Sequence, residues 1–157
     1  MLWSGTYLRP PGALSEKQLK ARCVSCGQCA AVCNFRAVEM TPDGLFGPET
    51  PKIYARKNPC RLCMRCSDIC PTDALRKVEQ DNARMGMAVI DTRRCVDYQE
   101  RSNTICWTCF NICPLRGRAI ILKYGYAPVI TDQCQGCGVC AFVCLVSAVT
   151  IVPERMR

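Results

Sequence analysis

The chain has 157 residues, with sixteen cysteines, no histidine and a formal charge of +8 at pH 7. Without histidine, the commonest general base and the mixed Cys/His zinc sites are excluded. A charge of this sign ordinarily points to an acidic partner such as nucleic acid or an anionic membrane surface. About a tenth of the residues are cysteine, within the range of disulfide scaffolds, so the placement of the thiols must decide what they are for.

The opening segment, MLWSGTYLRPPGA, has no hydrophobic periodicity, closes on Pro10, Pro11 and Gly12, and lacks the basic and apolar regions of a secretory leader. Its Trp3 and Tyr7 either fold back on the chain or anchor a partner. Ser15 and Gln18 form a capping box, which predicts a short helix over residues 16–22. Cys23, Cys26, Cys29 and Cys33 follow at CxxCxxCxxxC spacing, then AVEM at 37–40, which reads as a strand, and TPDGLFGPETP at 41–51, which reads as a connector. A strand-like KIYA from residue 52 leads into CRLCMRCSDICP, where Cys60, Cys63, Cys66 and Cys70 repeat the spacing with Pro71 directly after. ALRKV from residue 74 and MAVI from residue 87 read as the next strands. Cys95, Cys106, Cys109 and Cys113 repeat the run, with ten residues instead of two after the first thiol. AIILK from 119 and APVI from 127 precede Cys134, Cys137, Cys140 and Cys144, and AVTIV from 148 closes the pattern. Residues 133–152 carry no formal charge, but four are cysteines of the last run and strand-like and helix-like pieces alternate among them. A continuous membrane-spanning helix is therefore not expected.

Scaffold cysteines have no reason to fall four times into one ligand spacing, and zinc sites pair CxxC units across a gap. Groups of four soft thiolates at CxxCxxCxxxC instead match the run that binds a [4Fe-4S] cube. Three thiols two residues apart wrap one cube, and the fourth, a helical turn on, reaches a second cube, so runs work in pairs. All sixteen cysteines are expected to serve as iron ligands for four [4Fe-4S] clusters. Each site adds about −2 to a tally that counted thiols as neutral, which offsets the +8. The basic residues, Arg61 and Arg65 within the second run among them, then read as counter-charge, and no nucleic-acid partner is expected.

The expected fold class is α+β, two bacterial ferredoxin-like 2[4Fe-4S] modules in one small polyferredoxin. The second and third runs end in Cys–Pro, at Pro71 and Pro114, while the first and fourth are uncharged and end in Asn34 and Leu145. This likeness predicts nested pairing. The arm and helix occupy 1–22, an outer module combines 23–59 with 124–157, and an inner module spans 60–123. The expected sets are Cys23, Cys26 and Cys29 with Cys144; Cys134, Cys137 and Cys140 with Cys33; Cys60, Cys63 and Cys66 with Cys113; and Cys95, Cys106 and Cys109 with Cys70. Sequential pairing is the alternative. With Arg61, Arg65 and Arg116 near the inner runs, the inner clusters are expected to have the higher potentials.

LRPPGAL at 8–14, CVSCGQC at 23–29, DNARMGMAV at 81–89 and the widened third run make the chain similar to the ferredoxin-type family of the periplasmic nitrate reductase system, the NapG/MauM polyferredoxins. The resemblance implies a four-cluster electron carrier with all sixteen cysteines as ligands. It also resembles leaderless electron-transfer small subunits of cytoplasmic complexes such as tungsten aldehyde oxidoreductase. Because the chain begins with methionine close before LRPP, a cytoplasmic location is expected, with a periplasmic one as the alternative if a twin-arginine leader is missing.

No nucleotide loop, histidine base, uncommitted thiol or paired-carboxylate motif is visible, so the chain is not expected to be catalytic alone. The leading expectation is an electron-transfer subunit between a catalytic tungsten or molybdenum pterin subunit and a second redox partner. The alternatives are a carrier in a periplasmic quinol dehydrogenase or nitrate reductase pathway, and a structural or sensing iron–sulfur module. Contact with further copies of itself is a further expectation, with the arm and the uncharged fourth unit as docking surfaces.

Overall fold

The computed structural model describes residues 7–99 and 105–154, so Trp3 of the arm lies outside the described residues. The described elements are all short. They run α1 (Glu16–Arg22), α2 (Gln28–Ala31), β1 (Val38–Pro42), β2 (Glu49–Ile53), α3 (Arg65–Asp68), β3 (Gly86–Ile90), α4 (Thr108–Ile112), β4 (Ile120–Lys123), β5 (Ala127–Ile130), α5 (Val139–Val143) and β6 (Val149–Pro153). The result is a small mixed helix and strand protein.

Helix α1 occupies the predicted span, with Glu16 in its first turn and Lys20 and Arg22 in its last, each complementing the helix dipole. Ser15 stands at its N-cap, but its hydroxyl donates to Gln18 Oε1 at 3.0 Å rather than accepting a backbone N–H. Leu19 is the one residue of this helix that is buried.

The strands pair only in twos, all antiparallel: β1 with β2, β3 with β6, and β4 with β5. Alternation sets the faces. In β6 the residues Val149, Ile151 and Pro153 are buried while Thr150 is exposed, and Ile151 faces Ala88 of β3. Two strand expectations need correction. The 41–51 connector is instead mostly hairpin, because β1 runs on through Thr41 and Pro42 and pairs with Glu49–Ile53. Residues 74–78 form no strand. Leu75 makes a single bridge to Ala13, Arg76 N–H donates to Gly12 O at 2.8 Å, and Leu14 N–H donates to Ala74 O at 3.2 Å. The Pro-Pro-Gly corner of the arm has taken that edge. Gly12 has φ +77°, and a Cβ there would collide with the Arg76 carbonyl, so the corner requires glycine.

From Tyr7 on, the arm thus folds back on its own chain. Leu8 exchanges both backbone hydrogen bonds with Ile53, at 2.8 and 2.9 Å, and both side chains are fully buried. Behind it lies a buried ionic network. Arg9, 8% exposed, donates to Glu16 Oε2 at 2.6 Å, to Thr50 Oγ1 at 2.8 Å and to Pro51 O at 3.0 Å. Asp43 accepts from Thr50 at 2.9 Å and pairs with Lys52 at 3.0 Å. Tyr7 lies under both cations, 5.0 Å from Arg9 and 4.9 Å from Lys52. Its ring is therefore engaged within the chain.

The division into outer and inner units also needs correction. Sheet β1–β2 closes within the first half of the chain, and β3–β6 and β4–β5 close within the second; among the described residues no strand of 23–59 pairs with one of 124–157. The uncharged 133–152 stretch breaks into α5 and β6, and no helix of the described residues is long and apolar enough to cross a membrane. What joins the halves is close backbone approach. Gly138 packs on Ala55, and across the same seam Arg56 donates to Ser147 Oγ at 3.0 Å and to Val149 O at 2.8 Å.

Candidate metal centres

Each thiol run is coiled by left-handed residues beside its second cysteine. In the first run these are Ser25 (φ 55°) and Gly27 (φ 72°), in the second Leu62 (φ 56°) and Met64 (φ 58°), in the third Trp107 (φ 46°), and in the fourth Gly136 (φ 70°) and Gly138 (φ 87°). Gly27, Met64, Trp107 and Gly138 are also the N-caps of α2, α3, α4 and α5. One reversed residue thus ends each ligand loop and starts the one-turn helix that leads toward the run's last cysteine. Alternating hands of this kind turn successive N–H groups inward, an anion-binding concavity. Four of the reversed residues are not glycine, at a cost on the order of 1 kcal/mol each.

A second left-handed residue follows three of the last cysteines: Arg36 (φ 50°), Asp73 (φ 53°) and Ser147 (φ 51°). Each reverses the chain so that a following N–H aims at the thiol just passed. Ala37 N–H donates to Cys33 Sγ at 3.3 Å, Leu75 to Cys70 at 3.4 Å and Ala148 to Cys144 at 3.2 Å. Leu62 N–H reaches Cys60 Sγ and Ala88 N–H reaches Cys134 Sγ, both at 3.4 Å.

These loops gather the thiols into four quartets, and the grouping corrects the nested expectation. Cys23, Cys26 and Cys29 surround one apolar pocket with Cys70. Cys60, Cys63 and Cys66 surround a second with Cys33. Cys95, Cys106 and Cys109 gather with Cys144, and Cys134, Cys137 and Cys140 with Cys113. The first run exchanges its last cysteine with the second, and the third with the fourth, so pairing is sequential. The physical reason is that α2 packs on α3 and α4 on α5, and each one-turn helix delivers its run's last cysteine to its neighbour. Arg61 and Arg65 are exposed but line the second quartet's pocket. Arg116 follows Cys113, whose thiol joins the fourth quartet rather than an inner one.

Burial pushes the thiols up, to about 11 at Cys29 and Cys137 and about 12 at Cys60, Cys66 and Cys109, and neighbouring thiols add to the effect. Cys70 goes the other way. Burial raises it too, but donors from Leu75, Thr72 and Ala74 outweigh burial and lower it. Four thiolates this close and this dry require a cationic core to ionise together. Among the described residues no three Cys, Asp or Glu side chains converge on one point as ligands of a single ion would. The sulfurs stand around a space instead, with N–H donors aimed at them. The residues fit an anionic thiolate cage around an iron–sulfur core.

The second and fourth quartets adjoin: Cys60 N–H donates to Cys137 O at 3.0 Å, and Leu62 lines the fourth quartet's pocket. Each quartet except the fourth has one exposed cysteine, at Cys26, Cys63 and Cys106.

Iron counting tests the pairing. A Cys70→Ala, Cys26→Ala double variant should lose one cluster, leaving about twelve irons, while Cys70→Ala with Cys106→Ala should lose two, leaving about eight, at four irons per cube. Nested pairing requires the reverse.

A 4Fe-4S dicluster domain matches residues 22–74, which span the first two runs. The methylamine utilization ferredoxin-type protein MauM of Methylobacillus flagellatus is 36% identical over 98% of this chain and 71% of its own length. The ferredoxin-type protein NapG of Escherichia coli is 35% identical over 96% of this chain and 72% of its own length. The ferredoxin-type protein NapF of Escherichia coli is 27% identical over 91% of this chain and 83% of its own length.

Proposed function

Since the chain belongs to the ferredoxin-type family of MauM and NapG and carries multiple [4Fe-4S] clusters, we propose that it relays single electrons between two redox proteins and performs no substrate chemistry itself. In this reading Cys23, Cys26, Cys29 and Cys70 hold the first cluster, and Cys33, Cys60, Cys63 and Cys66 the second. Cys95, Cys106, Cys109 and Cys144 hold the third, and Cys113, Cys134, Cys137 and Cys140 the fourth, so the chain forms two dicluster modules. Each cluster supplies a one-electron couple when bound. The residues of this chain exclude water, aim N–H groups at the sulfurs and set the spacing. The adjoining second and fourth quartets support a relay order of first, second, fourth, third, with the end quartets opening to solvent at Cys26 and Cys106.

The single observation that carries this reading is the consumption of all sixteen cysteines in four cages. The likeness to MauM and NapG favours the periplasmic quinol-oxidising alternative over a tungsten enzyme as the partner, and with it a periplasmic workplace rather than the cytoplasm. The test is iron and sulfide analysis of anaerobically prepared protein, with a reductive titration followed by EPR. About sixteen irons and reversible low-potential signals are expected. Stoichiometric zinc, or clusters that take up no electrons reversibly, would overturn it, and fractionation of the native host tests the location.

A further inference from the structure

The ten-residue span between Cys95 and Cys106, which widens the third run, brings a carboxylate to its cage. Between their first and third cysteines the first, second and fourth runs contain no aspartate or glutamate, whereas Asp97 lies two residues after Cys95. A short 3-10 turn, Val96–Tyr98, places it. Asp97 Oδ1 accepts the N–H of Cys106 at 2.7 Å, and Oδ2 accepts that of Trp107 at 3.3 Å. The turn is held from both sides: Tyr98 O–H donates to Pro128 O of β5 at 2.9 Å, and Cys95 N–H donates to Asp91 O at 3.0 Å. Its charge is felt at the Cys95 and Cys109 thiols. Among the described residues no ion pair joins Asp97 to a cation: Arg93 is turned instead to Asp91 at 3.4 Å and is almost fully exposed.

We propose that Asp97 is the potential-setting residue of this relay, holding the third quartet's cluster below the other three. Reduction adds one negative charge to a cage that already carries a net negative charge, and a fixed carboxylate beside it opposes that addition. The second quartet differs most, since Arg61 and Arg65 line its pocket. The third quartet is an end of the proposed order. A strongly reducing donor docking at that end meets the cluster hardest to reduce and then a downhill step. Fed from the opposite end, the third quartet fills last.

The inference rests on the four-cluster reading, and the experiment separates the two. Iron analysis comes first: wild-type protein without four clusters removes the functional reading itself. With four clusters present, Asp97→Asn and Asp97→Ser both keep an acceptor for the Cys106 N–H but lose the charge. Each should move the most negative of the four midpoints to a more positive potential and leave the others in place, while Asp97→Glu keeps the wild-type value. Midpoints unchanged in the Asn and Ser variants would reduce Asp97 to a loop brace and overturn the proposal. Should these variants fail to hold the third cluster, a nitroxide carried on a ketone side chain at exposed position 124 decides in the otherwise unaltered protein. The hairpin bearing Tyr124 is tied to Trp107, whose Nε1–H donates to Tyr126 O at 2.9 Å. Relaxation enhancement of the nitroxide should arrive at the last reductive step; arrival at an earlier step overturns the proposal.

Discussion

Stripping the clusters with an oxidant and a chelator should unfold the chain rather than leave an empty protein of native shape. The helices are four to seven residues long, far below the roughly twelve to fifteen at which an isolated helix becomes marginal. The sheets are two-stranded, and such pairs are marginal at best on their own. Seven of the buried residues are themselves cysteines, namely Cys29, Cys60, Cys66, Cys95, Cys109, Cys134 and Cys140. Without iron the cage centres become voids lined by thiols that burial keeps protonated. The reversed backbone at Ser25, Leu62, Met64 and Trp107 also loses the ligand bonds that hold it. The free energy of cluster binding is then largely the free energy of folding. Far-UV circular dichroism and amide exchange on the stripped chain provide the measurement. Retention of native ellipticity with protected amides in β1–β2 and β3–β6 would refute it.

What could be read before any coordinates were known follows the reach of the interactions. The four thiol runs stand in the sequence itself, because cube binding is encoded at spacings of three and four residues. Helix α1 was legible from Ser15 and Gln18. Cage pairing was not, because it depends on which one-turn helix packs on which, and likeness between runs carries no information about contact. The Cys–Pro endings suggested nesting, yet Pro71 lines the pocket of the first quartet and Pro114 that of the fourth. The left-handed positions were hidden for another reason. Leu62, Met64 and Trp107 are not turn residues by type, and the ligand bonds on either side impose their conformation. A repeat alignment could have found them, since each stands directly beside a second cysteine. Asp97 was passed over as part of an insertion, although it is the sole acid of the described residues between Cys95 and Cys109.

Replacing Arg9 by methionine should loosen the whole first half of the chain by about 3 kcal/mol, the lower end for removing one partner of a buried ionic group. The replacement keeps an unbranched apolar stem, so most of the packing survives and the lost element is the guanidinium fork. That fork ties α1, through Glu16, to strand β2, through Thr50 and Pro51. Strand β2 in turn presents Glu49 O, which accepts from Ser25 O–H at 2.6 Å within the first ligand loop. Arg9 therefore braces the first cage from behind. Asp43 would keep Lys52 at 3.0 Å and Lys20 at 3.7 Å, which is why the loss stays at the lower end. Amide exchange of β1 and β2 in the cluster-loaded protein should accelerate on the order of a hundredfold, the factor that corresponds to about 3 kcal/mol. The same network carries a pH dependence of known sign. Burial pushes the Asp43 carboxyl up, but donors from Lys52 and Thr50 and the charge of Arg9 outweigh it and hold it below its ordinary value of 3.8. Its contribution is fully present above that value and disappears as pH falls through the lower, folded-state value. Asp43→Asn should accordingly flatten the acid limb of the exchange profile below about pH 4, after correction for intrinsic exchange. Combined with Arg9→Met it should cost less than the sum of the two, because the pair shares one network. Strict additivity, with β1–β2 exchange unaltered in Arg9→Met, would show that the arm is held by Leu8 and the Pro10–Gly12 corner alone.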